Sequence, residues 1–301
     1  MMIITSSLIK EFFFHGVEKE YCRRKAYEQY ITGSIDVHSD AMDKGSFFET
    51  ICIGGGINGK TVDDLPRKKN GDKTIDQVRI EEQKMHFEII AKNTNMVIIP
   101  GFNTQVTIQK RVPFDDDILL NGTLDIFPVT VKTQRRGNLL SAVDLKLTSD
   151  IYADTRFSYN SWSEPGSLDN TQAYMYHELV RDIDPELNPH VIDIINKAGI
   201  KDYDLIDKHF FYYVFDYSPR LNKKSIEVFY DDIRRGELFE SVKATRNLIV
   251  SNTNNDRWEE VLPSKYNCAS CPLECAYRFT TEIESKERDY DEIPGMDYEA
   301  V

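Results

Sequence analysis

The chain has 301 residues, 41% of them hydrophobic, which is apolar material for one large core or two modest ones and excludes a disordered protein. Its formal charge of −13 excludes a protein that coats nucleic acid non-specifically, because such binding grows with the number of cationic contacts to phosphate. A DNA enzyme is not excluded, since carboxylate-held cations reverse the local field of an acidic site.

Taken in chain order, residues 6–31 (SSLIKEFFFHGVEKEYCRRKAYEQYI) carry Phe13, Val17, Tyr21 and Tyr27 at near-helical spacing and predict a helical N-terminal region. Residues 41–53 predict a second helix, with Phe47, Phe48, Ile51 and Cys52 on one side. The next stretch, GGGINGKT at 54–61, matches the phosphate-cradling pattern G-x-x-x-x-G-K-[ST]. A phosphate loop needs a helix starting at its Lys-Thr end, and Pro66 and Gly71 leave no useful room for one. The segment therefore reads as a glycine-rich loop that lets the preceding helix turn away. Nucleotide hydrolysis through Lys60 and Thr61 stays as a rival, because FYYVFD ending at Asp216 imitates the apolar strand plus Asp that holds magnesium in such enzymes.

A third helix is predicted over 76–93, placing Val78, Met85, Ile89 and Ile90 toward a core. Consecutive β-rich segments follow at 105–112, 119–127 and 139–147, then a helix at 171–180. Strands at 210–217 and 225–230 and an amphipathic helix to about residue 250 complete the order. This succession predicts an α/β fold, a mixed central sheet flanked by helices. No basic leader with an apolar run opens the chain, and FFYYVF at 210–215 is too short to span a bilayer, so a cytoplasmic protein without membrane contact is expected.

Chemistry concentrates in the predicted meander. GTLDIF carries Asp125 among apolar residues, and VDLKL carries Asp144 and Lys146 two residues apart, hence on one face of a strand. Two carboxylates and one ammonium suit magnesium-assisted phosphodiester hydrolysis: the carboxylates hold hard cations, and the lysine neutralises charge or orients the nucleophile. An exposed strand edge would show the same Asp and Lys, but Ala142, Val143, Leu145 and Leu147 are apolar, and charge among apolar residues is costly unless paired or metal-bound.

With Gly45 to Glu49 (GSFFE), Gly122 to Asp125 (GTLD), Asp144 to Lys146 (DLK) and Gln172 to Tyr176 (QAYMY) in this order, the chain resembles the RecB-type branch of the PD-(D/E)XK nuclease superfamily. That branch carries Gly-x-x-x-His, Gly-x-x-Asp, Asp-x-Lys and Gln-x-x-x-Tyr motifs, and Glu49 stands here where His is usual. The resemblance implies a restriction-endonuclease-like core and a magnesium- or manganese-dependent deoxyribonuclease, an exonuclease acting on single strands or duplex ends in recombination, repair or end processing. It implies Asp125, Asp144, the Leu145 backbone carbonyl and Glu49 as metal ligands. Lys146 would be the residue on the catalytic-base side, with Gln172 and Tyr176 facing the site one helical turn apart. A catalytically silent DNA-binding scaffold is the other rival.

Five cysteines in such a chain do not read as a disulfide framework. Cys268, Cys271 and Cys275 form a dense trio, and Cys22 is the candidate for a fourth ligand. Four thiolates serve structural zinc and a [4Fe–4S] cluster alike, and spacing does not separate them. The same family includes helicase-nuclease subunits and CRISPR-adaptation exonucleases with one cysteine before the motifs and three after, so the resemblance favours [4Fe–4S], with zinc as the alternative. Cys52 reads as a buried small hydrophobe. The expected layout is one integrated domain: 1–100 a helical region carrying Cys22 and Glu49, 101–250 the nuclease core, 251–280 a cysteine segment packing back on Cys22, and 281–301 an acidic tail.

Overall fold

A computed structural model describes residues 1–14, 17–37, 39–54, 71–152, 162–164, 168–260 and 271–273. The chain divides into two compact units, one of residues 1–18 and 39–246, the other of the described residues within 19–38 and 247–301.

The first unit begins with β1 (Met2–Ile4) and α1 (Ser6–Phe12), followed by the two-residue pair β2 (Phe13–Phe14) and β3 (Val17–Glu18). The helical region expected over 6–31, with Gly16 as an interruption, instead carries strands at Phe13–Phe14 and Val17–Glu18. Three consecutive phenylalanines suit a strand as well as a helix, and Thr5 caps α1 by accepting from Leu8 N–H at 3.2 Å, which starts a short helix that ends at Phe12.

Helix α2 (Arg23–Ala26) belongs to the second unit. Next in the first unit come α3 (Asp40–Ile53) and α4 (Ile75–Asn93), capped by Ser39 and by a Thr74–Gln77 capping box. Lys44 ties the two together through Asp40 at 2.7 Å and Asp76 at 2.8 Å. α4 forms where the sequence predicts it but turns a different face inward. Ile80 and Phe87 are buried with Gln77 and Gln83, while Val78, Met85 and Ile89 are exposed. Gln83 decides this, because its amide donates to the carbonyls of Asp216 at 2.5 Å and Asn222 at 3.0 Å, groups that burial would otherwise leave unsatisfied.

The sheet then follows: β4 (Thr104–Val112), β5 (Asp115–Thr133), β6 (Gly137–Thr148), β7 (Lys208–Asp216) and β8 (Lys223–Val228). Its order is β1-β5-β6-β7-β8, with β4 also paired to β5. β1 on β5 and β6 on β7 are parallel; the remaining pairs are antiparallel. On one side, Val143 and Leu145 of β6 join Phe211, Tyr213 and Phe215 of β7 in a core closed by Phe47 and Phe48 of α3 and Ile80 and Phe87 of α4. Cys52 packs at the edge of this core, as expected of a small hydrophobe. Between β6 and β7 lie α5 (Thr171–Arg181) and α6 (Pro189–Lys197), and α7 (Asp232–Asn254) follows β8. The mixed α/β architecture predicted from the element order is the one observed.

In the second unit, α2 (Arg23–Ala26) runs into a π-helical turn, Tyr27–Ile31. Asn252 donates to the Tyr21 hydroxyl, Arg23 pairs with Glu260, and the Tyr27 and Trp258 rings lie 5.3 Å apart.

Candidate active site

The site forms where β5 and β6 part company. Their ladder runs from Thr133–Gly137 up to Ile126–Val143; beyond it β5 pairs with β4 and β1 while β6 continues beside β7. At the fork the Asp125 carboxylate takes over the role of a ladder acceptor, with Oδ2 receiving the Leu145 N–H at 2.6 Å and Oδ1 receiving Gln105 Nε2 at 3.1 Å. Asp144, one residue past the last paired position, is 1% exposed; its Oδ1 accepts Gln172 Nε2 at 3.2 Å. Its Oδ2 lies 2.5 Å from Lys146 Nζ, an ion pair that lacks hydrogen-bond geometry and leaves this buried oxygen otherwise unpartnered. Alternation along β6 puts Asp144 and Lys146 on the face opposite Val143 and Leu145, and Lys146 Nζ stands 5.8 Å from the centre of the Tyr212 ring on β7.

Helix α5 supplies the lid of the fork. Gln172 and Tyr176, four residues apart, share a helical face, and Gln172 Nε2 lies 3.0 Å from the Tyr176 hydroxyl, which donates to the Thr123 carbonyl of β5 at 2.8 Å. Gly122 makes this approach possible: a Cβ there would stand 2.8 Å from both Leu179 Cδ1 and Tyr176 Cε1. The glycine of the Gly-x-x-Asp motif is therefore a packing requirement of α5.

Glu49 enters from α3, half-buried and one turn from the helix end. That end is set by Gly54, whose φ of +73° favours glycine and where a Cβ would strike Pro100 at 2.7 Å. Burial pushes the Glu49 carboxyl up to about 7, Lys146 opposes the rise and Asp144 adds to it. Asp125 is driven well above the usual carboxylate range by burial, then by Asp144 and Glu49, against the pull of Lys146 and the Leu145 N–H. Burial pulls Lys146 down, but Asp144 and Asp125 outweigh it and hold the ammonium above its ordinary value. Three carboxylates thus share one ammonium, a crowd that a divalent cation would relieve and that fits a hard, oxygen-seeking metal. Among the described residues, no group of three or more His, Cys, Asp or Glu side chains stands close enough together to hold a metal ion by itself, so a cation at the fork would rest on Asp125 and Asp144 with backbone or water oxygens completing its shell.

Of the six predicted catalytic residues, Asp125, Asp144, Lys146, Gln172 and Tyr176 meet at the fork, Leu145 enters it through its N–H, and Glu49 of α3 stands within electrostatic reach of Lys146 and Asp144. Sequence reasoning missed Gln105, a polar residue on an ordinary β-rich segment whose proximity to Asp125 no local pattern announces. Of the glycine-rich motif only Gly54 is described, and Lys60 and Thr61 lie outside the described residues. Asp216 is fully engaged: it accepts from Ser218 Oγ, Ile151 N–H and both the N–H and side-chain amide of Asn222. It closes a turn and offers no carboxylate edge to magnesium. Cys22 and Cys271 are half-buried members of the second unit, while Cys268 and Cys275 lie outside the described residues.

No family model and no curated protein matches the chain. Among solved structures, it is similar to a protein from Eubacterium rectale named as a candidate exonuclease, with a TM-score of 0.54 and 16% identity over 97% of this chain and 93% of that one. At that identity the likeness speaks for the fold alone.

Proposed function

We propose that this protein is a magnesium- or manganese-dependent deoxyribonuclease of the PD-(D/E)XK superfamily, RecB-type branch, working as an exonuclease on DNA ends in recombination, repair or end processing. The observation that carries the reading is the convergence of Asp125, Asp144 and Lys146 at the β5–β6 fork under Gln172 and Tyr176. The name of the structurally similar protein points the same way.

Asp125, Asp144, the Leu145 carbonyl and Glu49 would hold the cation, which supplies Lewis-acid polarisation of the phosphate and lowers the pKa of a water. The Lys146 side chain is 27% exposed, so the fork is open to solvent along it. Held above its ordinary pKa by two carboxylates, the ammonium keeps its proton at neutral pH. On the catalytic-base side of the site, it would neutralise charge developing at the scissile phosphate or orient the nucleophile. Gln172 aims Asp144, and Tyr176 fixes Gln172 by anchoring on Thr123. Cys22, Cys268, Cys271 and Cys275 are proposed as thiolate ligands of a [4Fe–4S] cluster, with structural zinc as the alternative; metal analysis and the absorption spectrum of anaerobically purified protein separate the two.

The test is cleavage of end-labelled single- and double-stranded DNA with magnesium or manganese, beside Asp144→Ala and Lys146→Ala. Each variant is expected to lose roughly 100-fold or more in rate, the scale of removing one preorganised group that stabilises a transition state. Wild-type protein that cleaves nothing with either metal, or variants as active as wild type, would refute the reading.

A further inference from the structure

We infer that Gln105 of β4 is a positioning residue of the site, aiming Asp125 at a divalent cation as Gln172 aims Asp144; the inference rests on the metal-dependent reading above. Three independent features of Gln105 point to this role.

The first is register. Thr104 pairs with Ile126 and Val106 with Leu124, so Gln105 stands directly across from Asp125, and its Nε2 lies 3.1 Å from Oδ1. With the Leu145 N–H on Oδ2, both oxygens of Asp125 are fixed by neutral donors. Such bonds set the orientation of a carboxylate without neutralising it, which is what a metal ligand requires of its supports.

The second is backbone strain. Gln105 has a φ of +53°, in the left-handed region that side chains other than Gly, Asn and Asp rarely enter. Of the five non-glycine residues with positive φ among the described residues, the other four stand in turns or loops, and Gln105 alone lies in a strand. The surroundings enforce the conformation. Asn103, 5% exposed, accepts from Ile99 N–H and donates to the carbonyls of Val97 and Pro128, while its own carbonyl receives Phe127 N–H. The segment entering β4 is thereby clamped to β5 just beyond Asp125, and Gln105 absorbs the bend. Strain of this kind persists where a fold over-determines it, and it gathers at functional sites.

The third is the other end of the amide. Gln105 Oε1 is buried and has no hydrogen-bond partner among the described residues. A glutamine retained for folding alone would be expected to satisfy both ends of its amide. Here one end serves Asp125 and the other is left without a partner.

The experiment is manganese binding followed by titration calorimetry, with thermal unfolding in parallel, on wild type, Asp144→Asn, Gln105→Asn and Gln105→Gly. Asparagine tolerates the left-handed backbone but is one methylene too short to reach Asp125; glycine removes both strain and amide. Both Gln105 variants should remain folded and bind manganese about 10-fold more weakly, the lower end of the effect of losing a support to a metal ligand. Asp144→Asn should abolish binding. Gln105 variants that bind like wild type, whether or not they unfold earlier, would overturn this inference and leave the nuclease reading standing. Wild type that binds no more manganese than Asp144→Asn would overturn both.

Discussion

The closest fit in the site is between Gly122 and helix α5, and Gly122→Ala tests whether that fit positions the catalytic groups. The added methyl carbon would stand 2.8 Å from Tyr176 Cε1 and 2.8 Å from Leu179 Cδ1. Ordinary carbon contacts begin near 3.5 Å, so α5 or its side chains must retreat by about 0.7 Å. Leu179 is a flexible chain end, but Tyr176 is held at its hydroxyl by the Thr123 carbonyl, one residue from Gly122 itself. A retreat of that size stretches the 2.8 Å bond to Thr123 to about 3.5 Å, beyond hydrogen-bond geometry, and draws Gln172 away from Asp144. Overpacking of this kind costs about 1–3 kcal/mol, which for a unit of this size lowers the unfolding midpoint by roughly 2–12 °C. Cleavage should fall more steeply than stability, because an error of about 1 Å in a positioning group can cost on the order of 100-fold in rate. Thermal unfolding and end-labelled DNA cleavage measured on one preparation read both effects. Gly122→Ala with an unchanged midpoint and full activity would refute the packing argument.

Two further outcomes follow from individual residues. His177, 7% exposed, donates Nε2–H to the Val228 carbonyl at 2.7 Å and stacks on Tyr230, and burial lowers its pKa from 6.5 to about 4. Because the unfolded chain binds this proton first, stability should fall as pH drops below 6.5 and level off near 4, by about 3 kcal/mol in all; urea unfolding across that window should show a shallower pH slope in His177→Phe, and equal slopes would exclude the assignment. Gly45 lies inside α3 with open space for 4 Å around the position a Cβ would take, so Gly45→Ala should stabilise the unit by up to about 1 kcal/mol; a loss of DNA cleavage alongside that gain would mean that the nucleic acid backbone passes there, and a loss of stability would contradict the open space.

The fold is legible in the sequence where one period dominates. The Val143–Leu147 stretch of β6 alternates apolar and charged residues, which places Asp144 and Lys146 together on one face, and the Gln172–Tyr176 spacing places both on one face of α5. Legibility fails where two periods compete or where a polar group settles the matter. The phenylalanine run at 12–14 ends one helix and begins a strand, and α4 rotates so that Gln83 can serve two buried carbonyls, a demand invisible in its own sequence. Helix α6 went unforeseen although Pro189 opens it and Val191 and Ile195 repeat at helical spacing. Gln105 is hidden for a different reason: its role comes from a backbone conformation that glutamine does not advertise.

Asp125 and Asp216 show what separates a site residue from a structural one when sequence treats them alike. Each is a carboxylate at an apolar strand, and each is buried, at 4% and 0% exposure. Burial by itself costs both equally, so the difference lies in how that cost is met. Asp216 meets it with four donors from Ile151, Ser218 and Asn222, all within one turn and its neighbour, and nothing remains for a ligand. Asp125 has two donors, and burial first, then Asp144 and Glu49, push its carboxyl well above the ordinary carboxylate range. A carboxylate left with that deficit is relieved either by a proton or by an arriving cation. The deficit at Asp125 is therefore the argument for a metal at the fork, and the full complement at Asp216 is the argument against one at the end of β7.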